Sequence, residues 1–366
     1  MHIGTEKTGT SSVQNFFAEN REFLARKGIL YPETPGRKNH TGLATAAQDI
    51  SENSALRKIH GLLDRQSVEE FRRKLIVGLE SEYRSRAFKT VIMSGEHCSS
   101  RLLQDEEVQW LRNILSPHFD RIKIVTYLRR QDDYLLSTYS TSLKSGGTAR
   151  LTLPSQHRVE ARYDYWPFLS RWARIFGRDA MICRKFERTT LLDGDIVADF
   201  LSAVGIDLDP AFEKPEDVNE ALDAEMLEYL RLFNEQVPRF VDKRLNSARA
   251  NIVPLLSKIS TGPLITLPAD ELAQFMGMFE ESNRKVASEY FGGVRSDPGD
   301  PLFEPRSDKR ERTPPVKLSV ERAVEIGTFL WQEKQSQLER VRARQDGGGG
   351  RKKKGANPAR QLAEPS

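Results

Sequence analysis

Apolar residues at Val13, Phe16, Phe17 and Leu24 alternate with polar ones at helical spacing, which predicts one amphipathic helix over residues 11–27, stopped by Gly28. The short run at 29–31, closed by Pro32, predicts a buried strand, and the polar stretch 33–41 a loop. Helical spacing returns at 68–83, 106–115, 135–143 and 196–204, and strand-like runs fall at 90–93, 122–128 and 180–183. Strands and helices that alternate in this way produce a parallel sheet covered by helices. Beyond about residue 210 the strand signals fade, and helical patterns occupy 221–235, 270–290 and 319–342. The expected organisation is an α/β core over 1–206, a helical part of the same domain over 207–343, and a disordered basic tail over 344–366.

Composition narrows the class. The chain has 366 residues, 38% of them apolar and 30% charged, enough for a sizeable core under a charged surface. No apolar run approaches the roughly 18 residues of a spanning helix, and the first residues lack the order of a secretory signal, so a cytoplasmic protein is expected. The net charge of +4 resides entirely in the tail, where six bases face two acids, and the body is neutral. A fold-wide nucleic-acid surface is therefore not expected. Two cysteines, Cys98 and Cys183, are too few for a disulfide framework or a usual zinc site and read as buried thiols.

The segment richest in chemistry comes first: Gly4-Thr5-Glu6-Lys7-Thr8-Gly9-Thr10-Ser11, leading into the first helix. Glycines let successive N–H groups converge on an anion, and a helix start adds partial positive charge, so this is a candidate phosphate cradle. Gly4 and Gly9 keep the glycine spacing of the general nucleotide-binding P-loop, but Lys7 lies inside the loop and Thr10 takes the usual lysine position. Only Met1, His2 and Ile3 precede Gly4, so either the first strand is very short or the chain begins within it.

This loop resembles the 5′-phosphosulfate-binding loop of sulfotransferases that use 3′-phosphoadenosine 5′-phosphosulfate (PAPS). The family's second signature is also matched: Arg129 follows the strand run at 122–128, Ser137 comes eight residues later and Tyr139 two after that. Lys27-Gly28-Ile29-Leu30-Tyr31-Pro32, Ser94-Gly95-Glu96-His97 and Asp199-Phe200-Leu201 with Gly205-Ile206 are similar to bacterial members, so the likeness covers about residues 2–206 and, weakly, the region to Phe291. The Arg-Lys-Gly signature of the small-molecule branch is absent, which points to the carbohydrate-like branch.

The resemblance implies a P-loop-type three-layer fold, PAPS as co-substrate, no metal, and an acceptor hydroxyl or amine on a glycan or glycolipid. Gly4, Thr5, Lys7, Thr8, Gly9, Thr10 and Ser11 would hold the 5′-phosphate, with Lys7 also countering charge on the leaving oxygen, and Arg129 and Ser137 would hold the 3′-phosphate. For the general base two places stand open. One is the pair Glu96 and His97 after the 90–93 strand, and the other is Glu33 and His40 in the loop after the second strand. A P-loop kinase or nucleotide hydrolase needs a strand-terminal aspartate for magnesium, and neither the 90–93 nor the 122–128 run ends in one. A non-catalytic nucleotide-binding relative is the other alternative. Tyr163, Tyr165, Trp166 and Trp172 read as core rather than as sugar-stacking residues.

Overall fold

Strand β1 is three residues long, His2–Gly4, all of them buried. The turn after it feeds helix α1 (Thr10–Glu19), which buries Val13, Phe16 and Phe17 at i, i+3 and i+4. The single helix expected over 11–27 is in fact two. The Asn20 side-chain amide donates to the Phe16 carbonyl at 2.9 Å, and its oxygen accepts from the Glu213 N–H at 2.8 Å. An asparagine that bonds its neighbours' backbone in this way competes with the helix ladder, and the chain restarts as α2 (Arg21–Arg26). Gly28, at φ 74°, ends α2 as expected.

The chain continues through β2 (Ile29–Leu30), α3 (Thr41–Ala47), α4 (Ala55–Ile59), α5 (Arg65–Ser85), β3 (Thr90–Val91), α6 (His97–Arg101) and α7 (Asp105–Leu115). Then come β4 (Ile124–Leu128), α8 (Gln131–Lys144), α9 (Gln156–Arg162), α10 (Tyr165–Phe176), β5 (Met181–Lys185) and α11 (Ile196–Ala203). This computed structural model describes the chain apart from residues 52–53, 214–220, 242–243, 247–248, 250, 293–301, 304–310 and 349–366.

β4 is buried at all five positions and pairs in parallel with β1 on one side and β5 on the other. β2 and β3 pair in parallel, and the chain just past β3 joins β1: the His2 N–H donates to the Met93 carbonyl at 2.7 Å, and the Gly95 N–H to the His2 carbonyl at 3.0 Å. The spatial order is therefore β2-β3-β1-β4-β5. Side chains alternate across β4, and the alternation feeds two cores. Ile124 and Leu128 belong to one core, with Ile3, Leu111, Leu169 and Trp172; Val125 and Tyr127 belong to the other, with Val13, Phe17 and Phe200. Helices cover both faces of a parallel sheet, which is the expected three-layer α/β architecture.

After Asn219 the chain forms α12 (Ala224–Gln236), the hairpin β6 (Phe240–Val241) and β7 (Arg244–Leu245), α13 (Val253–Ser257), β8 (Leu264–Ile265), α14 (Ala269–Gly277), α15 (Glu280–Val286), β9 (Arg312–Thr313) and α16 (Val320–Gly348). Two compact units result. The first comprises Met1–Ser142, Arg150–Asn219 and Thr266–Arg310, and the second Leu143–Ala149, Glu220–Ile265 and Glu311–Ser366. α14 and α15 fall within the first of these units. There Gln131 Nε2 donates to Asn283 Oδ1 at 2.7 Å. α16 extends past the expected end at 342 to Gly348, and the rest of the expected tail, 349–366, lies outside the described residues. Among the described residues no helix is long and apolar enough to cross a membrane.

Candidate functional site

The loop between β1 and α1 is tied down from beneath. The Thr5 N–H and Oγ1 both donate to the Tyr127 carbonyl, at 3.0 and 2.9 Å, and Thr8 Oγ1 donates to the Thr5 carbonyl at 2.6 Å. Thr5, Thr8 and Thr10 are buried, Lys7 and Gly9 half-buried, and Ser11 exposed. Lys7 sits at φ 66°, a left-handed conformation uncommon for a residue with a side chain. Gly9, at φ 72°, caps α1 where a Cβ would lie 3.0 Å from Ile196 and 3.2 Å from Phe186. Among the described residues no acceptor meets the N–H groups of Lys7, Thr8, Gly9, Thr10 and Ser11. These are the orphan donors of a helix start, gathered by the turn.

Arg129, just past β4, closes on this loop. Its Nη1 donates to the Lys7 carbonyl at 2.7 Å, its guanidinium lies over the Phe186 ring, and its own carbonyl accepts from Tyr165 Oη at 2.6 Å. The two sequence motifs, 122 residues apart, therefore meet. Ser137 and Tyr139 are half-buried on α8. Arg130 Nε pairs with the fully buried Asp132 at 3.1 Å.

A second cluster forms around Glu6, to which the sequence analysis assigned no role. Its Oε1 accepts from Ser100 Oγ at 2.7 Å and lies 3.2 Å from His97 Nδ1, while its Oε2 pairs with Arg162. Burial alone would raise the Glu6 carboxyl, but the His97, Arg162 and Ser100 contacts outweigh it and hold it well below the usual carboxylate range. An ionised Glu6 can only accept, so the His97 nitrogen facing it, Nδ1, carries the proton. In the tautomer with that proton alone, the lone pair lies on Nε2. Burial lowers the Lys7 ammonium, against the pull of Glu6 and Glu96, and the Arg162 and Arg129 charges lower it further. Thr5, Ser100, Tyr134 and Arg162 also border a cavity of about 10 Å³, room for about one water and too small for an acceptor.

Glu96 precedes α6, and both of its oxygens are held: Oε2 accepts from Gln14 Nε2 at 2.6 Å and Oε1 from Asn39 Nδ2 at 2.9 Å. Gly4, at φ 106°, lets this segment approach, since a Cβ there would lie 3.2 Å from Glu96 Cα. The other base candidates are placed differently. His40 is fully buried, stacks on Tyr31 with ring centroids 4.4 Å apart, and accepts from the Ser94 N–H through Nδ1 at 3.0 Å. Burial pushes it down to about 3, which keeps it neutral. Glu33 is ion-paired at the surface with Arg21 at 3.1 Å and Arg37 at 3.6 Å. The structure thus gathers Lys7, Arg129, Glu96 and His97 around the loop and leaves Glu33 at a surface ion pair. Tyr163, Tyr165 and Trp172 are buried, as expected of core residues.

Sequence reasoning missed Glu6, Ser100 and Arg162. For Glu6 a signal existed, a carboxylate beside the lysine of an anion loop; Arg162, 156 residues away, carried none.

No family model matches the chain. A 172-residue stretch is 33% identical to an uncharacterized protein of Archaeoglobus fulgidus, and the match spans 46% of this chain and 46% of that relative, about half the length of each. Among solved structures, a sulfotransferase from Alicyclobacillus acidocaldarius is similar over 59% of this chain and 84% of its own, at 16% identity and a TM-score of 0.38.

Proposed function

We propose that this protein is a sulfotransferase that moves a sulfuryl group from PAPS to a hydroxyl or amine of an acceptor of the glycan or glycolipid class. The observation that carries this reading is the bond from Arg129 to the Lys7 carbonyl, which joins an anion-binding loop to an arginine one strand away. Two anion-recognition elements on one rim suit a nucleotide with phosphates at both its 5′ and 3′ positions better than one with a single phosphate chain. The open N–H groups of 7–11 fit a phosphate.

When bound, PAPS supplies the sulfuryl group, and its phosphate departs with the electron pair of the broken S–O bond. The chain's own residues have three tasks. The N–H groups of Lys7, Thr8, Gly9, Thr10 and Ser11 bind the 5′-phosphate, and Arg129 with Ser137 binds the 3′-phosphate. Lys7 places its ammonium where negative charge accumulates, and the lowering of its pKa by burial raises its power as a proton or hydrogen-bond donor there. His97 takes the acceptor proton at Nε2, with Nδ1–H fixed on Glu6, and Arg162 and Ser100 hold Glu6 in place. Glu96, fixed by Gln14 and Asn39, is the second carboxylate at the acceptor side.

The test is transfer of radiolabelled sulfate from PAPS to a panel of glycans and glycolipids, run beside γ-labelled ATP with magnesium. Label passing from PAPS, and lost in Lys7→Ala, supports the reading. Phosphate transfer from ATP without sulfate transfer overturns it.

A further inference from the structure

Among the described residues α16 is anchored to its own unit along one side. Ile326 is fully buried there, Arg322 Nε pairs with Glu225 at 3.0 Å, and Glu333 accepts from Lys258 Nζ at 2.9 Å. On the opposite side a second stripe faces outward: Val320, Val324, Trp331, Leu338 and Val341 are all exposed, Trp331 at 66% and Val324 at 62%. With Gly327 and Lys334 these positions follow one another at spacings of four and three, the seam of a left-handed coiled coil, over about 30 Å of helix.

We infer that this stripe is a self-association surface, on which α16 of a second copy of the chain packs antiparallel. The layers decide both the occupant and the direction. A parallel pair would set Lys334 against the partner's Lys334 and leave Gly327 facing the partner's Gly327, a like-charge layer and an empty one. In the antiparallel pair Val324 meets the partner's Val341, the Gly327 gap receives the partner's Leu338, and the Trp331 ring receives the ammonium of the partner's Lys334. The flanking charges agree. Exposed Glu321 at one end of the seam comes beside the partner's exposed Arg342 at the other, and the two-fold axis repeats the pair. The stripe is thus complementary to its own reverse in size and in charge.

Sedimentation velocity on the full chain over a concentration series is expected to show a monomer–dimer equilibrium. Trp331→Glu should weaken it by about 30-fold or more, as loss of a central aromatic anchor does. Because Trp331→Glu could also disturb the unit, the surface pair provides the second test. Glu321→Arg and Arg342→Glu should each weaken the dimer, and the double exchange should restore it, with circular dichroism unchanged throughout. Recovery in the double exchange establishes the antiparallel pairing. A monomer at every concentration, a dimer indifferent to these changes, or a stripe whose slow hydrogen exchange disappears on removal of residues 349–366 overturns the proposal, the last by making the chain's own tail the occupant.

Discussion

Replacing Glu6 by glutamine keeps the side chain's shape and removes its charge, leaving the Arg162 guanidinium and the His97 N–H with a weaker acceptor. Removing one partner of a buried ion pair costs about 3–5 kcal/mol. The Arg162 side chain is 26% exposed, so water recovers part of that, and about 2 kcal/mol of destabilisation is expected at pH 7. The pH dependence follows from the direction of the Glu6 shift. A carboxyl held low in the folded state contributes stability that is complete above its unfolded value of about 4.3 and is lost as the pH falls towards the folded value. Wild type should therefore lose up to about 1.4 kcal/mol per pH unit in that window through this group, and the glutamine variant none. Every other carboxylate is common to both proteins, so the difference between their urea-unfolding free energies isolates Glu6. That difference should shrink by about 1 kcal/mol between pH 7 and pH 3.5. Equal stabilities at pH 7, or a difference that does not change with pH, would refute the assignment of Glu6 as the buried anion of the site.

Three further changes probe the loop and its neighbours. Gly9→Ala puts a methyl group 3.0 Å from Ile196 at a left-handed residue and should cost about 1–2 kcal/mol, with loss of the thermal shift caused by adenosine 3′,5′-bisphosphate. Lys7→Ala should lower turnover at saturating PAPS far more than it weakens nucleotide binding in calorimetry, because its charge matters most as the leaving group forms. His97→Ala should remove most transfer, by about 10²-fold or more, while leaving bisphosphate affinity intact. His40, held neutral down to about 3, should show a ring Cε1–H resonance that stays fixed between pH 7 and 5. A midpoint near 6 for that resonance would contradict its burial.

Where local chemistry dictates structure, the sequence could be read directly. β4 is apolar on both faces because helices cover both, and its run of β-branched residues declares that without reference to the rest of the chain. The loop was legible for the same reason, since glycines at 4 and 9 act on their own backbone. Helix lengths were less so. Asn20 fits the helical pattern, and its side chain is held at the break by Phe16 and by Glu213, the latter nearly 200 residues away. α10 was not among the expected helices, although Tyr165, Phe168, Leu169 and Trp172 fall at i, i+3, i+4 and i+7. The carboxylate site depends on tertiary contacts: Glu6 gains its meaning from Ser100 and Arg162, which arrive on α6 and α9. The burial and partners by which the base candidates differ are likewise not contained in adjacency along the sequence.

The central claim is that the rim formed by the loop and Arg129 binds a nucleotide phosphorylated at both 5′ and 3′ positions. It is tested most directly by calorimetric titration with adenosine 3′,5′-bisphosphate and with AMP. Charge-assisted bonds from Arg129 to the extra phosphate, at about 1.5–3 kcal/mol, predict that the bisphosphate binds roughly 10- to 100-fold tighter, and that Arg129→Ala abolishes the difference. Equal affinity of the wild-type protein for the two nucleotides would contradict the account.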